Sequence, residues 1–260
     1  MNIVLLLNND IASNFALHLL LPSLATHNVK VFLSSKVGGN SARPQALQAL
    51  AAFEQQGIYQ ALEQQDKPAG KFQTYAEISE QYAMEIATLN EINSPAGITT
   101  IKAFSADLII SIRYGVILKK SVIALAKHGV INLHSGRLPN YRGVMATFWA
   151  LLNGDKQLAT SLHFIADNTI DTGGIIANST LAVQPGKSYL WHVLSLYIGG
   201  CQLLEQALKT LERGGKLSTV KQSSQGDYFS FPSAEQTTAF IETYGPLYQR
   251  QEIIELLTRS

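Results

Sequence analysis

The sequence predicts an open, mostly parallel α/β sheet with helices on both faces, and three features predict it. The chain opens β-α-β: residues 3–7 form a short apolar run, a helical stretch follows, and residues 29–34 are again β-prone. Asp107-Leu108-Ile109-Ile110-Ser111-Ile112 is a near-continuous apolar run, as a parallel strand buried on both faces requires. A helix over 121–127 and a strand over 129–133 then continue the alternation of crossover units.

Each element follows in order. After the first strand come Asn8-Asn9-Asp10-Ile11-Ala12, without glycine, so the Rossmann-like opening carries no dinucleotide-binding turn. Residues 13–25 and 44–56 read as helices, and the polar break at 64–70 as a loop. Thr74 and Glu77 form a capping box, and Tyr75, Ile78, Tyr82, Ile86 and Leu89 recur at helical spacing, which predicts one amphipathic helix across that stretch. Residues 188–213 make a long apolar helix ending at Gly214-Gly215, with Cys201 as core filling. The chain therefore divides into a core over 1–215 and a short C-terminal extension, 216–260, packed on it. That extension offers a β-prone Tyr228-Phe229-Ser230-Phe231 and two short helices, the first capped by Ser233.

Composition excludes several classes. With 260 residues, 46% of them hydrophobic, the chain can bury a substantial core. The net charge of +1, from 20 basic and 19 acidic residues, gives no global field that would recruit nucleic acid or an anionic membrane. One cysteine forms no intrachain disulfide and suits a reducing, cytoplasmic setting. The run at 3–7 lacks a basic segment before it and ends at Asn8, so it reads as a strand and not a leader. The stretch 15–24, broken by His18 and Pro22, is shorter than the roughly 20 residues a membrane span needs. His18, His27, His128 and His192 have no partners at metal-ligand spacing, so no metal is expected.

The chemistry concentrates where a buried strand runs into a Gly/Pro-punctuated loop, Asn132-Leu133-His134-Ser135-Gly136-Arg137-Leu138-Pro139-Asn140-Tyr141-Arg142-Gly143. Residues two apart on a strand face one side, so Asn132 and His134 converge on one point beyond a sheet edge. An amide N–H and an imidazolium there can stabilise an oxygen that turns negative as an amine attacks a carbonyl carbon. A carboxylate beside the imidazole would favour its charged form and relay a proton. Asp171, in Ile170-Asp171-Thr172-Gly173-Gly174, is the candidate. His163 reads more simply as a buried histidine with a hydrogen-bond partner.

Residues 106–181 resemble the folate-dependent formyltransferases, a family that includes glycinamide ribonucleotide, methionyl-tRNA and nucleotide-sugar formyltransferases. The resemblance rests on the ordered set of Ser111 to Leu118, Asn132-Leu133-His134, Leu138 to Gly143, Thr160 to Phe164 and Ile170 to Gly173. It implies a formyltransferase fold, with N10-formyltetrahydrofolate as formyl donor and Asn132, His134 and Asp171 as the catalytic group. It further implies that Arg113, Tyr114, Gly115, Ile117 and Leu118 flank the pterin, and that a loop carrying Ile165 and Asp167 closes over it. On the acceptor side, Asp10, Arg137, Tyr141 and Arg142 are the candidates, the arginines because guanidinium groups grip phosphate.

The acceptor is expected to be a small-molecule amine, without nucleic acid or membrane as partner and with a homodimer left open. The run from Tyr141 to Ala150 is closest to the nucleotide-sugar branch, which favours an amino sugar on a nucleotide. The glycine-rich phosphate loop of the glycinamide ribonucleotide enzymes is missing after the first strand. About 45 residues beyond Gly215 and a charge of +1 fit the tRNA enzymes, with their C-terminal barrel and basic surface, less well. A hydrolase that releases formate with the same three residues, and a folate binder without turnover, are the alternatives.

Overall fold

The structure, a computed structural model, describes residues 1–35, 43–64, 72–223 and 226–259. Nine strands form: β1 (Asn2–Asn8), β2 (Asn28–Ser34), β3 (Glu85–Thr88), β4 (Leu108–Ile112), β5 (Val130–His134), β6 (Tyr141–Gly143), β7 (Gln157–Phe164), β8 (Ile175–Ala182) and β9 (Asp227–Phe229). Seven make one sheet in the order β3-β2-β1-β4-β5-β7-β8. The pairings from β3 across to β5 are parallel, while β7 runs antiparallel to both β5 and β8. The mostly parallel α/β sheet predicted from the sequence is the observed one.

The central strands are apolar because both of their faces are covered. Along β1, Ile3, Leu5 and Leu7 enter one hydrophobic cluster and Val4 and Leu6 the other, the alternation a strand imposes. The first cluster also takes in the helix Ile11–Leu24 and the long helix Tyr189–Glu212. Ser188 caps that long helix by accepting from the Trp191 N–H, and Gly214, at φ +75, follows its end.

Three elements differ from expectation, the first being the helix over 121–127, which is a single turn at Lys120–Ile123. The helix begun at the Thr74–Glu77 capping box ends at Gln81, where Ala83 turns the chain at φ +48, and the next residues form β3. Ile86 and Ala87 pair there with Val31 and Phe32, so sheet pairing wins over a helical spacing that a short apolar run satisfies by coincidence. The stretch 44–56 is helical but not uniform: Gln45–Ala52 passes into a π-helical turn, Phe53–Gly57, before Ile58–Glu63. Of the break at 64–70, only Gln64 lies within the described residues.

The C-terminal residues fold back across the sheet's carboxyl edge. Strand β9 pairs in parallel with β6, Phe229 stacks on Trp149 at 5.0 Å, and the Trp149 indole donates to the Ser230 carbonyl at 3.1 Å. Gly143 permits this approach: its φ is +97, and a Cβ there would lie 2.2 Å from the Phe229 carbonyl oxygen. Farther on, Phe240, Leu247, Ile253, Ile254 and Leu257 are buried in the cluster that contains Leu5 and Leu7. Among the described residues, no helix is long and apolar enough to cross a membrane.

Candidate active site

Strand β5 ends at His134, at the carboxyl edge of the parallel strands, where ligands of open α/β sheets sit. The antiparallel partner β7 sets His163 directly opposite Asn132. The register slips between Leu162 and His163 against β8, the kind of irregularity that re-aims a side chain. His163 Nδ1 donates to the Phe164 carbonyl at 2.9 Å, and Nε2 lies 3.1 Å from Asn132 Nδ2. His134 Nε2 donates to the Tyr141 carbonyl at 2.6 Å, which leaves Nδ1 facing the third group.

That group is Asp171. Its Oδ2 lies 3.6 Å from His134 Nδ1 and its Oδ1 3.4 Å from His163 Nε2, while the Gly143 N–H donates to Oδ2 at 2.8 Å. Burial alone would raise the carboxyl, but His134, His163 and the Gly143 N–H outweigh it and hold Asp171 down at about 2. The backbone is fixed as firmly: Asp171 sits at φ +55, and the Gln222 amide donates to the carbonyls of Asp171 and Gly173. Gly173 is required beside it, since a Cβ there would fall 1.8 Å from the Phe164 carbonyl oxygen.

A cleft of about 560 Å³ opens over these residues. Its walls are the turn from Arg113 to Leu118, the loop bearing Ile165, Asp167, Ile170 and Asp171, and Tyr228 from the C-terminal segment. The Tyr114 hydroxyl donates to the Leu89 carbonyl, which steadies that first wall. Three non-glycine residues at positive φ, Arg113, Met145 and Asp171, line the cleft, a clustering of backbone strain typical of functional sites.

A second, smaller cavity of about 70 Å³ adjoins the cleft, sharing Arg113, Ser135, Val144 and Met145 with it. Asp10 and Glu54 lie on its far side, both ion-paired to Arg113, at 2.9 and 3.1 Å. Burial pushes the Glu54 carboxyl up to about 7 against the pull of Arg113, and Asp10 adds to the rise. Asp10 also caps the first helix by accepting from the Ser13 N–H at 2.8 Å.

The structure thus brings together Asn132, His134 and Asp171, and sets Arg113, Tyr114, Gly115, Ile117, Leu118, Ile165 and Asp167 around one cleft, with Asp10 beside the adjoining cavity. It does not bring Arg137, Tyr141 or Arg142 to either space. Tyr141 is buried with its ring stacked against Phe229, Arg137 donates to Gln157 at 3.2 Å, and Arg142 donates to the Gly226 carbonyl at 2.6 Å. Arg137 and Tyr141 lie instead with Gly136, whose missing Cβ makes room for Ala146, around a separate small recess. His163 is the buried, hydrogen-bonded histidine expected from the sequence, and its place opposite Asn132 also sets it beside Asp171. Sequence reasoning overlooked Glu54, Tyr197 and Gln222, which come from distant elements with no local pattern. Among the described residues, no three His, Cys, Asp or Glu side chains are grouped to hold a metal ion.

Residues 3–190 match the family model described as "Formyl transferase". The chain belongs to the formyl transferase family. Within it, the chain is 31% identical over 196 residues to a methionyl-tRNA formyltransferase of Agathobacter rectalis, covering 74% of this chain and 62% of that protein. It is 34% identical over 196 residues to the methionyl-tRNA formyltransferase of Syntrophomonas wolfei, covering 73% and 62%. The match therefore spans less than two thirds of these relatives. The fold is shared with the N-formyltransferase from Helicobacter canadensis solved with folinic acid and dTDP-3-aminofucose, at a TM-score of 0.57, 16% identity and coverage of 92% and 80%. The family match covers the seven-stranded sheet and most of the cleft's lining, while Tyr197, Tyr228, β9 and the helices after it lie beyond it.

Proposed function

We propose that this protein transfers the formyl group of N10-formyltetrahydrofolate to an amine, with Asn132, His134 and Asp171 as catalytic residues. The observation that carries the reading is the meeting of one amide, one imidazole and one carboxylate in a single cleft. The cleft suits a folate: apolar Val116, Leu118 and Ile165 offer a flat ring their side chains, and the polar residues lie at the inner end. The donor supplies an activated formyl carbon; the rest falls to the chain.

An amide carries two N–H donors, and Asn132, which lines the cleft with Nδ2 beside His163 Nε2, turns an N–H to the formyl oxygen as it gains charge. The attacking nitrogen must lose a proton once the new C–N bond forms. Asp171, held ionised, and His134 Nδ1 beside it provide the path. That proton serves the departing folate nitrogen, so the products are the formamide and tetrahydrofolate, with nothing left over. Gly143 N–H and Gln222 keep Asp171 in position through both stages.

The acceptor we favour is an amino sugar on a nucleotide, as the smaller cavity supports with its carboxylates Asp10 and Glu54, groups that hold sugar hydroxyls. A second reading, methionyl-tRNA, is favoured by the identity to the methionyl-tRNA formyltransferases. The experiment is release of tetrahydrofolate from N10-formyltetrahydrofolate, with and without a panel of dTDP- and UDP-linked amino sugars, glycinamide ribonucleotide and methionyl-tRNA. Release that requires an amine, with a mass gain of one formyl group on it, is the expected result. Equal release without acceptor indicates hydrolysis, and folate binding without release indicates a binder. His134→Ala is expected to lower turnover by about two orders of magnitude or more, and wild-type turnover in it would remove the mechanism.

A further inference from the structure

Tyr197, on the inward face of the long helix, is fully buried and lines the cleft. Its hydroxyl has no hydrogen-bond partner among the described residues. The Ser135 hydroxyl is its near polar neighbour, but no bond of normal geometry joins them. Leaving a buried hydroxyl unpaired costs about 1–3 kcal/mol, so folded proteins rarely tolerate it without a use. Burial pushes the phenol up to about 12, and it therefore remains a neutral O–H donor.

The location narrows the use. Tyr197 lines the cleft itself, and its neighbours Ser135 and Arg113 line both the cleft and the smaller cavity. The hydroxyl therefore lies just behind the wall that the two spaces share, within reach of a group bound where they meet. The reacting amine must keep its lone pair for the formyl carbon. What the phenol can meet is an oxygen carried next to that amine.

We infer that Tyr197 is an acceptor-binding residue whose O–H donates to a hydroxyl or ether oxygen beside the reacting amine, so the site selects amines bearing such an oxygen, as amino sugars do. This rests on the formyl-transfer reading above. Glu54, on the π-helical turn across the cavity, faces the same acceptor from the opposite side.

The test is Tyr197→Phe, which removes one oxygen and keeps the ring. The probes are dTDP-3-aminofucose and the other amino sugars of the panel, whichever the wild type formylates. We expect KM for the amine to rise about tenfold, KM for the folate to change by less than twofold, and the thermal midpoint of the unliganded variant to stay level or rise. An unchanged amine KM overturns the inference, as does a parallel rise in folate KM, which would give the hydroxyl to the donor. A lower thermal midpoint with unchanged KM overturns it too, since the hydroxyl would then be structural. If the wild type formylates no amine in the panel, the parent reading falls and takes this inference with it; if it does and the variant keeps its KM, the inference alone falls.

Discussion

Asp171 is the residue on which the site turns, and its electrostatics can be measured. Its carboxyl is held at about 2 against an ordinary 3.8, so its ionised form stabilises the folded chain. The sign follows from a depressed value: the contribution is complete above about pH 4 and drains away as pH falls toward 2. The difference corresponds to roughly 2 kcal/mol. Urea unfolding of wild type and Asp171→Asn is expected to show a stability gap of that order at pH 6 that shrinks to about a third of its size by pH 2.5 and closes only below about pH 2. A gap independent of pH would mean that the two histidines do not hold the charge. His163 shares the task, since its Nε2 touches both Asn132 and Asp171. His163→Ala is expected to lower kcat by about 10- to 100-fold with little change in folate affinity, because it loosens the donors without removing them. An unaltered kcat would make His163 the structural histidine that the sequence alone suggests.

At the scale of elements, the pairing of β6 with β9 latches the C-terminal segment over the cleft. Gly143→Ala is expected to break that latch, since the new methyl collides with the Phe229 carbonyl and the backbone sits at φ +97. The cost is expected to be about 1–3 kcal/mol. Trp149, stacked on Phe229 and bonded to Ser230, should report it as a red-shifted emission. Turnover should fall in parallel, because the Gly143 N–H also holds Asp171; unchanged emission and turnover would refute this coupling. The strands β1, β4 and β5 were legible in the sequence because burial on both faces leaves short, mainly apolar runs. The capping box at Thr74 was legible as well, because it is a purely local device. What was not legible is β3, an edge strand of four residues whose conformation depends on Val31 and Phe32, more than fifty positions away. The π-helical turn that aims Glu54 left no trace either, since one extra residue in a helix changes no composition.

The whole molecule unfolds, on this view, as one unit. Phe240 stacks on Phe148 at 4.4 Å, and Ile253 and Leu257 complete the cluster around β1, so the last residues share the core with the first. Calorimetry is expected to show a single transition, and a chain ending at residue 215 to lose cooperative unfolding by exposing Phe148 and Leu208. Two separate transitions would instead make the tail an independent layer. The meeting of Asn132, His134 and Asp171 could be anticipated from the sequence because all three lie in short segments with their own strand and turn grammar. The smaller cavity was legible only at Asp10, at the first strand's end, because its other parts come from a mid-chain helix, the long helix and the tail. That division has an evolutionary consequence. Gln222, Tyr228 and Phe231 all lie past the stretch that the family shares, yet one braces Asp171 and the others wall the two cavities. Substitutions in the tail can therefore reshape the walls of both spaces and the bracing of Asp171 together, and kinship in the shared stretch alone does not fix either.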